Sequence, residues 1–226
     1  SSPGSWIGAL RTGALVPGAP AVRLPSGTDP VLKTGTLFKQ ALKGLAPTAR
    51  LVKGTLPNGA VELTSVVSQP ITTWMSHAIG ISDNTETEFI ARHAAKAAGL
   101  EPSFSSVEPM VKNMLSGLGI DSSQLVMKDA SGLAQANRVT PKMITELMVK
   151  VAQGNNAVAP LESYLPVAGV GPGSMGGRFT GANSVARKFV KGKTGFIPGL
   201  YSLAGIINAK DGSRLAYSIF ARSADG

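Results

Sequence analysis

Two short motifs combine the hydroxyl, amide and amine groups that acyl-transfer enzymes use. Ser82-Asp83-Asn84 falls in a break between two predicted helices, and Lys193-Thr194-Gly195 falls on a predicted strand near the end of the chain. Acyl transfer from a peptide needs an activated nucleophile, a proton shuttle, an oxyanion site and groups that hold the substrate. The two motifs therefore indicate a candidate site, provided that the fold brings them together.

Each motif also has an ordinary structural explanation. Ser-Asp-Asn before a helix is a common N-cap sequence. Lys33-Thr34-Gly35 is a second copy of the Lys-Thr-Gly tripeptide, but it lies in a helix that Asp29 and Pro30 are predicted to start. A helical copy cannot act as a recognition element at the edge of a strand, so only the copy at Lys193 remains a candidate.

The sequence from about Ser68 onward resembles the penicillin-binding protein 4 type of serine D-alanyl-D-alanine carboxypeptidase, a class C low-molecular-mass penicillin-binding protein. The two tripeptides belong to the three-part signature of penicillin-recognising enzymes, whose third part is Ser-x-x-Lys. The matching stretches, in the order and at the spacing of the family, are SQPITTWMSHAIGISDN, KDASGLAQANRVTP, LPVAGV, GKTG and SLAGIINAKDGSRLAYSIFA.

The resemblance implies a role for each motif residue. Ser82 would help to relay a proton to the leaving amine, and Asn84 would donate its amide N–H to a substrate carbonyl. Lys193 would place positive charge near the terminal carboxylate of the leaving D-alanine, which Thr194 would hydrogen-bond.

The next two residues would shape the strand edge. Gly195 lacks a side chain, so the substrate could lie along the strand. The backbone N–H of Phe196 would form half of the oxyanion hole, and the nucleophilic serine would supply the other half.

The chain departs from the family pattern in three places. It contains no Ser-x-x-Lys, so we expect the nucleophile and its lysine in a segment of the same protein upstream of Ser1. Gly171-Pro172-Gly173-Ser174-Met175 stands where the family usually has Asp-Gly-Thr-Leu. Phe196 stands where the family usually has threonine or serine, so one hydroxyl of the substrate site is missing.

The implied activity is that of a D,D-carboxypeptidase, with D,D-endopeptidase activity as a further option, acting on peptidoglycan stem peptides outside the cytoplasmic membrane. β-Lactam antibiotics are the expected inhibitors, and no cofactor or metal is expected. Two alternatives remain open: a β-lactamase or esterase on the same fold, and a non-catalytic basic module that binds the cell envelope.

Composition limits the other classes of function. The net charge is +9, but the basic residues are spread along the chain rather than clustered in a stripe, which argues against nucleic acid as a partner. The chain has no cysteine and only two histidines, which excludes cysteine-based zinc sites and makes a histidine-rich metal site a poor explanation. No apolar run reaches the roughly 20 residues needed to span a bilayer.

The order of predicted elements indicates an α+β fold, the penicillin-recognising transpeptidase/β-lactamase-like fold of the resemblance, with central helices and a closing antiparallel sheet. Residues 1–67 are predicted to be the remainder of an inserted domain with the return to the main domain, and residues 68–226 to be the transpeptidase-like domain. The predicted strands are Ala49–Lys53, Ala60–Val67, Ser184–Phe196, Leu200–Ala209 and Arg214–Arg222.

Four helices are predicted in this domain. The first runs from Pro70 to about Ala78, and the second follows the break at residues 80–84 and ends at Gly99. The third opens with a Ser105/Glu108 capping box, and the fourth runs from Thr140-Pro141 to Gly154. Val107, Met110, Val111 and Met114 are expected to form the inner side of the capping-box helix.

Three further patterns are weaker candidates. Gly171–Gly176 fits a dinucleotide fingerprint, but no convincing helix follows it, and no acidic residue lies about 20 positions later. His77 is close enough to Ser82 to suggest a triad, although a helix-surface or supporting histidine is the simpler interpretation. Asp129–Leu133 is predicted to be a structural turn with satisfied backbone groups.

Overall fold

The computed structural model of this protein consists of two compact units, Ser1–Ser68 and Gln69–Gly226. Assignment of the first unit to an inserted domain stays a prediction. The residues that the structure describes are 11–12, 22–23, 28–42, 44–45, 47–55, 58–62, 67–171 and 173–223.

The described residues of the first unit form a short ladder and one helix. Strands β1 (Arg11–Thr12) and β2 (Val22–Arg23) pair antiparallel. Helix α1 (Pro30–Ala41) begins where the sequence predicts, because the Asp29 carboxylate accepts the backbone N–H groups of Val31 and Leu32. The Lys33 copy of the tripeptide therefore lies inside a helix, as expected.

The predicted strands Ala49–Lys53 and Ala60–Val67 are wrong where the structure describes them. Residues 49–55, 60–62 and 67 have no strand structure, and their side chains are exposed. Residues 63–66 of the second predicted strand lie outside the described residues. An isolated pair of strands is marginal in water unless further strands or a helix cover one face. Alternating apolar residues alone therefore do not form a hairpin here.

The second unit places its helices before and beside a sheet. Their bounds are α2 Ile71–Ile81, α3 Asn84–Ala97, α4 Phe104–Gly117, α5 Pro141–Gln153 and α6 Leu161–Tyr164, with a 3-10 helix at Gly181–Ala186. Helix α2 is longer than predicted, because main-chain bonding continues until the N–H of Ser82 reaches the carbonyl of Ala78. None of the described helices is long and apolar enough to cross a membrane.

Helix α4 differs from its prediction in how it begins and in which residues form its inner side. Its N-cap is Ser103, whose side chain makes no capping bond, so the predicted capping box is wrong. Glu108 instead accepts hydrogen bonds from Lys112 and from the distant backbone N–H of Met127. The expected inner residue Met114 is 41% exposed, and its neighbour Leu115 is buried.

Helix α5 follows local signals closely. Thr140 accepts the N–H of Met143 at 3.1 Å, and Gly154 ends the helix in the left-handed conformation. Its apolar side packs into a buried cluster that contains Met148, Val151, Val158, Leu165 and Ile206. This cluster joins the helices to one face of the sheet.

The sheet has three antiparallel strands in the order β3 (Val190–Ile197), β4 (Leu200–Asn208) and β5 (Arg214–Arg222). This arrangement of helices and sheet confirms the predicted α+β class. The predicted strand Ser184–Phe196 begins too early, because residues 181–186 form a 3-10 helix and Lys188 has a positive φ of 69°. A left-handed residue interrupts the extended backbone of a regular β-strand.

Two glycines face each other where β3 and β4 pair. Gly192 and Gly205 are register partners. A Cβ at Gly205 would overlap the Lys191 carbonyl oxygen and lie 2.6 Å from the Gly192 Cα, and a Cβ at Gly192 would overlap the Tyr217 hydroxyl. Neither position can therefore hold a side chain without moving the strands or the tyrosine.

The Tyr217 phenol, which this glycine pair accommodates, donates a hydrogen bond to the Lys191 carbonyl at 3.2 Å. Burial raises the pKa of Tyr217 from 10.0 to about 12. Above pH 10 the unfolded chain loses this proton while the folded chain keeps it, so the free energy of unfolding should fall as pH rises from 10 to about 12.

Tyr217→Phe should remove the fall in the free energy of unfolding that titration of Tyr217 causes at alkaline pH. At neutral pH the variant should be about 1 kcal/mol less stable than wild type, because the hydrogen bond is lost. Urea unfolding at a series of alkaline pH values measures both effects. Tyr201→Phe is the matched control, because the Tyr201 side chain is on the same sheet and 59% exposed. Equal alkaline slopes for wild type and Tyr217→Phe would contradict the assignment.

Candidate active site

The Ser82-Asp83-Asn84 motif is the junction of two helices. Ser82 ends α2 in the left-handed conformation (φ 62°, ψ 50°), and the N–H of Asp83 also bonds the Ala78 carbonyl, at 2.9 Å. Asp83 is buried and caps α3 by accepting the N–H of Glu86. A non-glycine residue in this region costs about 1–2 kcal/mol, so the surrounding bonds hold the Ser82 backbone against its own preference.

A second contact ties the same two helices together. His77 on α2 and Glu86 on α3 are hydrogen-bonded through Nδ1 and Oε2 at 2.6 Å. The His77 side chain is partly exposed and bonds this carboxylate rather than Ser82. His77 therefore braces the helix junction, which agrees with the simpler sequence interpretation.

Lys193 on β3 meets Ser82. Its Nζ donates to Ser82 Oγ at 2.8 Å and to the carbonyl oxygen of Thr194 at 2.6 Å. Burial lowers the pKa of the Lys193 amine, because removing a charge from water disfavours the protonated form. The two motifs, which are 111 residues apart in the chain, are thus joined by a direct hydrogen bond.

All six residues singled out from the sequence line one cavity of about 1130 Å³. Ser82, Asn84, Lys193, Thr194, Gly195 and Phe196 are among its lining residues. The helices and the sheet therefore present the two motifs to a shared space. Among these six, the hydrogen bond between two side chains that the structure describes is the one between Ser82 and Lys193.

The strand beyond Lys193 has its own constraints. A Cβ at Gly195 would overlap Ser202 Oγ on β4, so a side chain at this position would require the Ser202 hydroxyl to move. Phe196 is 62% exposed and stacks against Tyr201 with ring centroids 4.9 Å apart. This aromatic pair occupies the cavity edge where the resemblance expected a hydroxyl.

The orientation of the β3 main chain bears on the oxyanion prediction. The N–H of Gly192 donates to Pro166, outside the sheet, rather than to β4. In an antiparallel strand, alternate residues direct their N–H groups to the same side. The N–H of Phe196, four residues later, therefore faces the open edge of β3.

The cavity also includes a segment that the sequence analysis treated as structural. Residues 130–134 line it, and Asp129 holds them by accepting the N–H groups of Gly132, Leu133 and Ala134. The prediction of a turn with satisfied backbone groups holds for the N–H groups of this segment, but no hydrogen bond to the carbonyl oxygens of residues 130–133 is formed by the described residues. Its place in the cavity wall was missed, because nothing local indicates which face of a turn meets a distant site.

Within the Gly171–Gly176 stretch, in which residue 172 lies outside the described residues, residues 173–176 pack beside the helix junction. The N–H of Ser174 donates to the Gly80 carbonyl at 3.3 Å, and Arg178, a cavity residue, donates from Nε to the Ser174 carbonyl. Turns and a short 3-10 helix follow it, rather than the α-helix that a dinucleotide site needs. In the described ranges, no cluster of three or more histidine, aspartate or glutamate side chains could hold a metal ion.

Comparison with known proteins gives consistent matches. Residues 14–226 match the D-Ala-D-Ala carboxypeptidase 3 (S13) family. The chain is 32% identical over 200 residues to carboxypeptidase DacB of Mycolicibacterium smegmatis, with 87% of this chain and 43% of the relative covered. It is 28% identical over 215 residues to a D-alanyl-D-alanine carboxypeptidase of Actinomadura sp., covering 89% of this chain and 38% of the relative.

A solved structure shares the fold. The crystal structure of penicillin binding protein 4 (dacB) from Haemophilus influenzae, complexed with a β-lactam, superposes with a TM-score of 0.72 at 22% identity. The match covers 91% of this chain and 49% of that one. The resemblance stated from the sequence is confirmed, and the chain spans less than half the length of the curated relatives it matches.

Proposed function

This chain belongs to the D-Ala-D-Ala carboxypeptidase 3 (S13) family, and from that premise we propose that it forms the C-terminal part of a serine D,D-carboxypeptidase. The substrate is a peptidoglycan stem peptide, the reaction passes through an acyl-enzyme, and β-lactams inhibit it by acylating the same serine. Cross-linked stem peptides are the second substrate class, for D,D-endopeptidase activity. The observation that supports this proposal best is the 2.8 Å hydrogen bond between Lys193 and Ser82 at the cavity.

The nucleophile is proposed to come from another segment of the same protein. The chain has no Ser-x-x-Lys, whereas the family mechanism requires a serine and its lysine base. The cavity of about 1130 Å³ leaves room for such a segment beside Ser82 and Lys193. The parent protein is this chain together with the proposed upstream polypeptide that carries Ser-x-x-Lys.

In the first half of the proposed reaction, the serine oxygen attacks the carbonyl carbon of the penultimate D-alanine, and its proton passes to the motif lysine. The C–N bond then breaks, and the proton reaches the leaving amine through the motif lysine and Ser82. Water hydrolyses the resulting ester, which regenerates the serine. Asn84 holds a substrate carbonyl during both halves.

We propose that residues of β3 bind the leaving D-alanine. The Lys193 amine attracts the terminal carboxylate, and the Thr194 hydroxyl hydrogen-bonds it. The N–H of Phe196, which faces the open edge of the strand, and the N–H of the nucleophilic serine stabilise the oxyanion. Loss of one such donor costs about 3 kcal/mol in comparable enzymes.

The proposed location is outside the cytoplasmic membrane, at the cell wall. A net charge of +9 and an isoelectric point near 10.0 suit an anionic wall polymer as the surrounding material. Nucleic acid is not proposed as a partner.

A labelled-penicillin gel tests the proposal. The parent protein should carry one stable covalent label, whereas this chain alone should carry none, because it lacks the nucleophile. Alanine in place of the motif serine is the control that should abolish labelling. Label on the isolated chain would place the nucleophile within these 226 residues and contradict the proposed division. Rapid loss of label from the parent would instead indicate a β-lactamase.

A further inference from the structure

Five consecutive backbone N–H groups in the cavity wall bind two carboxylates. Glu88 Oε1 accepts the N–H groups of Ala130 and Ser131, both at 2.9 Å. The Asp129 carboxylate accepts the N–H groups of Gly132, Leu133 and Ala134 at 2.9, 3.1 and 2.7 Å. Glu88 and Asp129 are 4% and 7% exposed, so the segment 130–134 is anchored to buried anions.

The anchoring sets the direction of the neighbouring carbonyl groups. In a trans peptide the carbonyl of one residue and the N–H of the next lie in one plane and point in opposite directions. The N–H groups of residues 131–134 point to the buried carboxylates, so the carbonyl groups of residues 130–133 point away from them. These residues line the cavity.

These four carbonyl groups are uncommitted. Within the part of the chain that the structure describes, their oxygens accept no hydrogen bond, although the next carbonyl, that of Ala134, accepts the N–H of Asn137. The Ser131 hydroxyl, which is buried, also has no partner among the described residues. The wall segment therefore offers acceptors and no main-chain donors.

Helix α3 connects this segment to the motif site. Glu88 lies four residues after Asn84, which is about 6 Å along the helix axis and on the same face. Thr87, beside Glu88, also lines the cavity. A shift of the segment relative to α3 would therefore change its distance from Asn84.

We propose that the carbonyl groups of residues 130–133 form an acceptor row that binds N–H donors of the substrate peptide, and that Glu88 is the positioning residue for this row. The proposal rests on the proposed function. Strand β3 takes the carboxylate end of the substrate, and the acceptor row takes N–H groups on the other side of the scissile bond. A peptide supplies such donors from its backbone, and a side-chain amine would be a second source.

Hydrogen exchange tests the anchoring in the parent protein without using activity. In Glu88→Ala, exchange at the amides of Ala130 and Ser131 should accelerate at least about 10-fold. Glu88→Gln should restore protection, because its Oε1 can still accept both N–H groups. Unchanged exchange at these two amides in Glu88→Ala would overturn the positioning role.

Glu108→Ala is the matched control. Like Glu88, Glu108 accepts a hydrogen bond from a basic residue four positions later on its helix. Its carboxylate also accepts one backbone N–H from a distant segment, that of Met127. It does not hold residues 130–134. The control should leave exchange at Ala130 and Ser131 unchanged.

Substrate recognition is tested with peptides methylated at single amide nitrogens upstream of the scissile bond. At one position, methylation should lower kcat/KM of the unaltered parent about 10-fold, mainly through KM, and this penalty should disappear in Glu88→Ala. Acetylating the side-chain amine instead distinguishes the second donor source. If Glu88→Ala does not fold, the same peptides are compared on Glu88→Gln, which should keep the full penalty.

The outcomes separate the two proposals. Equal methylation penalties in wild type and Glu88→Ala, or no penalty at any position in an enzyme that penicillin acylates, would overturn the acceptor row alone. A parent protein that neither turns over peptide nor reacts with penicillin would overturn the proposed function and the ligand of the row with it.

Discussion

Replacing Lys193 with methionine should lower the rate of acylation of the parent protein by penicillin about 1000-fold, while the protein stays folded. Lys193 is the residue that bonds Ser82, and its charge is proposed to hold the substrate carboxylate. Methionine has similar length and no donor, so it removes both contributions. Stopped-flow acylation with a fluorescent penicillin measures the rate.

The stability of the same variant should be equal to or higher than that of wild type at neutral pH. Burial lowers the pKa of Lys193, so the charged amine is less favourable in the folded chain than in the unfolded one. Wild type should gain stability relative to the variant as pH rises from the folded pKa toward the ordinary 10.5. Melting temperatures at several pH values report this difference.

Lys191→Met is the matched control, and its effects should be the reverse. Lys191 lies two residues earlier on the same strand, is paired with Glu162 at 3.1 Å and does not line the cavity. Its replacement should lower stability and leave acylation within about 3-fold of wild type. An acylation loss of similar size in both variants would show that strand disruption, not the Lys193 contact, causes the effect.

The second large effect is on folding. Gly205→Ala should reduce the free energy of unfolding of the parent protein by about 3 kcal/mol, because the new Cβ overlaps main-chain atoms of β3 rather than a movable side chain. Urea denaturation measures the change. The control is Gly177→Ala, where nothing lies within 4 Å of an added Cβ. A Gly205→Ala protein as stable as wild type would show that β3 and β4 can separate locally at little cost.

Local signals explain why parts of the fold were predictable. Asp29 at the start of α1, and Thr140 and Gly154 at the ends of α5, act on backbone groups within a few residues, so sequence alone identifies them. The hairpin between β4 and β5 is equally local, since residues 210–213 form its turn. Such elements need no knowledge of the rest of the protein.

The failures have a common physical origin in distant partners. Glu108 has the spacing of a capping box with Ser105, yet a backbone N–H nineteen residues away takes its carboxylate. Glu88 was not singled out, because the N–H groups it binds lie 42 and 43 residues later. Its position four residues after Asn84 was the one available signal that it faces the same side of α3.

The sequence predicted which residues form the candidate site, but not all of the contacts that they make. Its six residues follow from the family motifs, and the structure brings all of them to one cavity. The reason for Gly195 was predicted as substrate access, whereas the structure adds overlap with Ser202 on the next strand. The roles of these residues in catalysis stay predictions until the parent protein is assayed.

The contacts of Lys193 limit how it can meet an anion. A protonated amine has three N–H bonds, and the bonds to Ser82 Oγ and the Thr194 carbonyl already use two of them. An incoming carboxylate oxygen therefore finds one unused proton and can bind it while the bond to Ser82 stays in place. A second carboxylate contact would have to replace the bond to Ser82 or the bond to the Thr194 carbonyl. A ligand held by one oxygen thus leaves the Ser82 hydroxyl fixed beside the amine, whereas a ligand that takes the Ser82 bond sets this hydroxyl free to rotate.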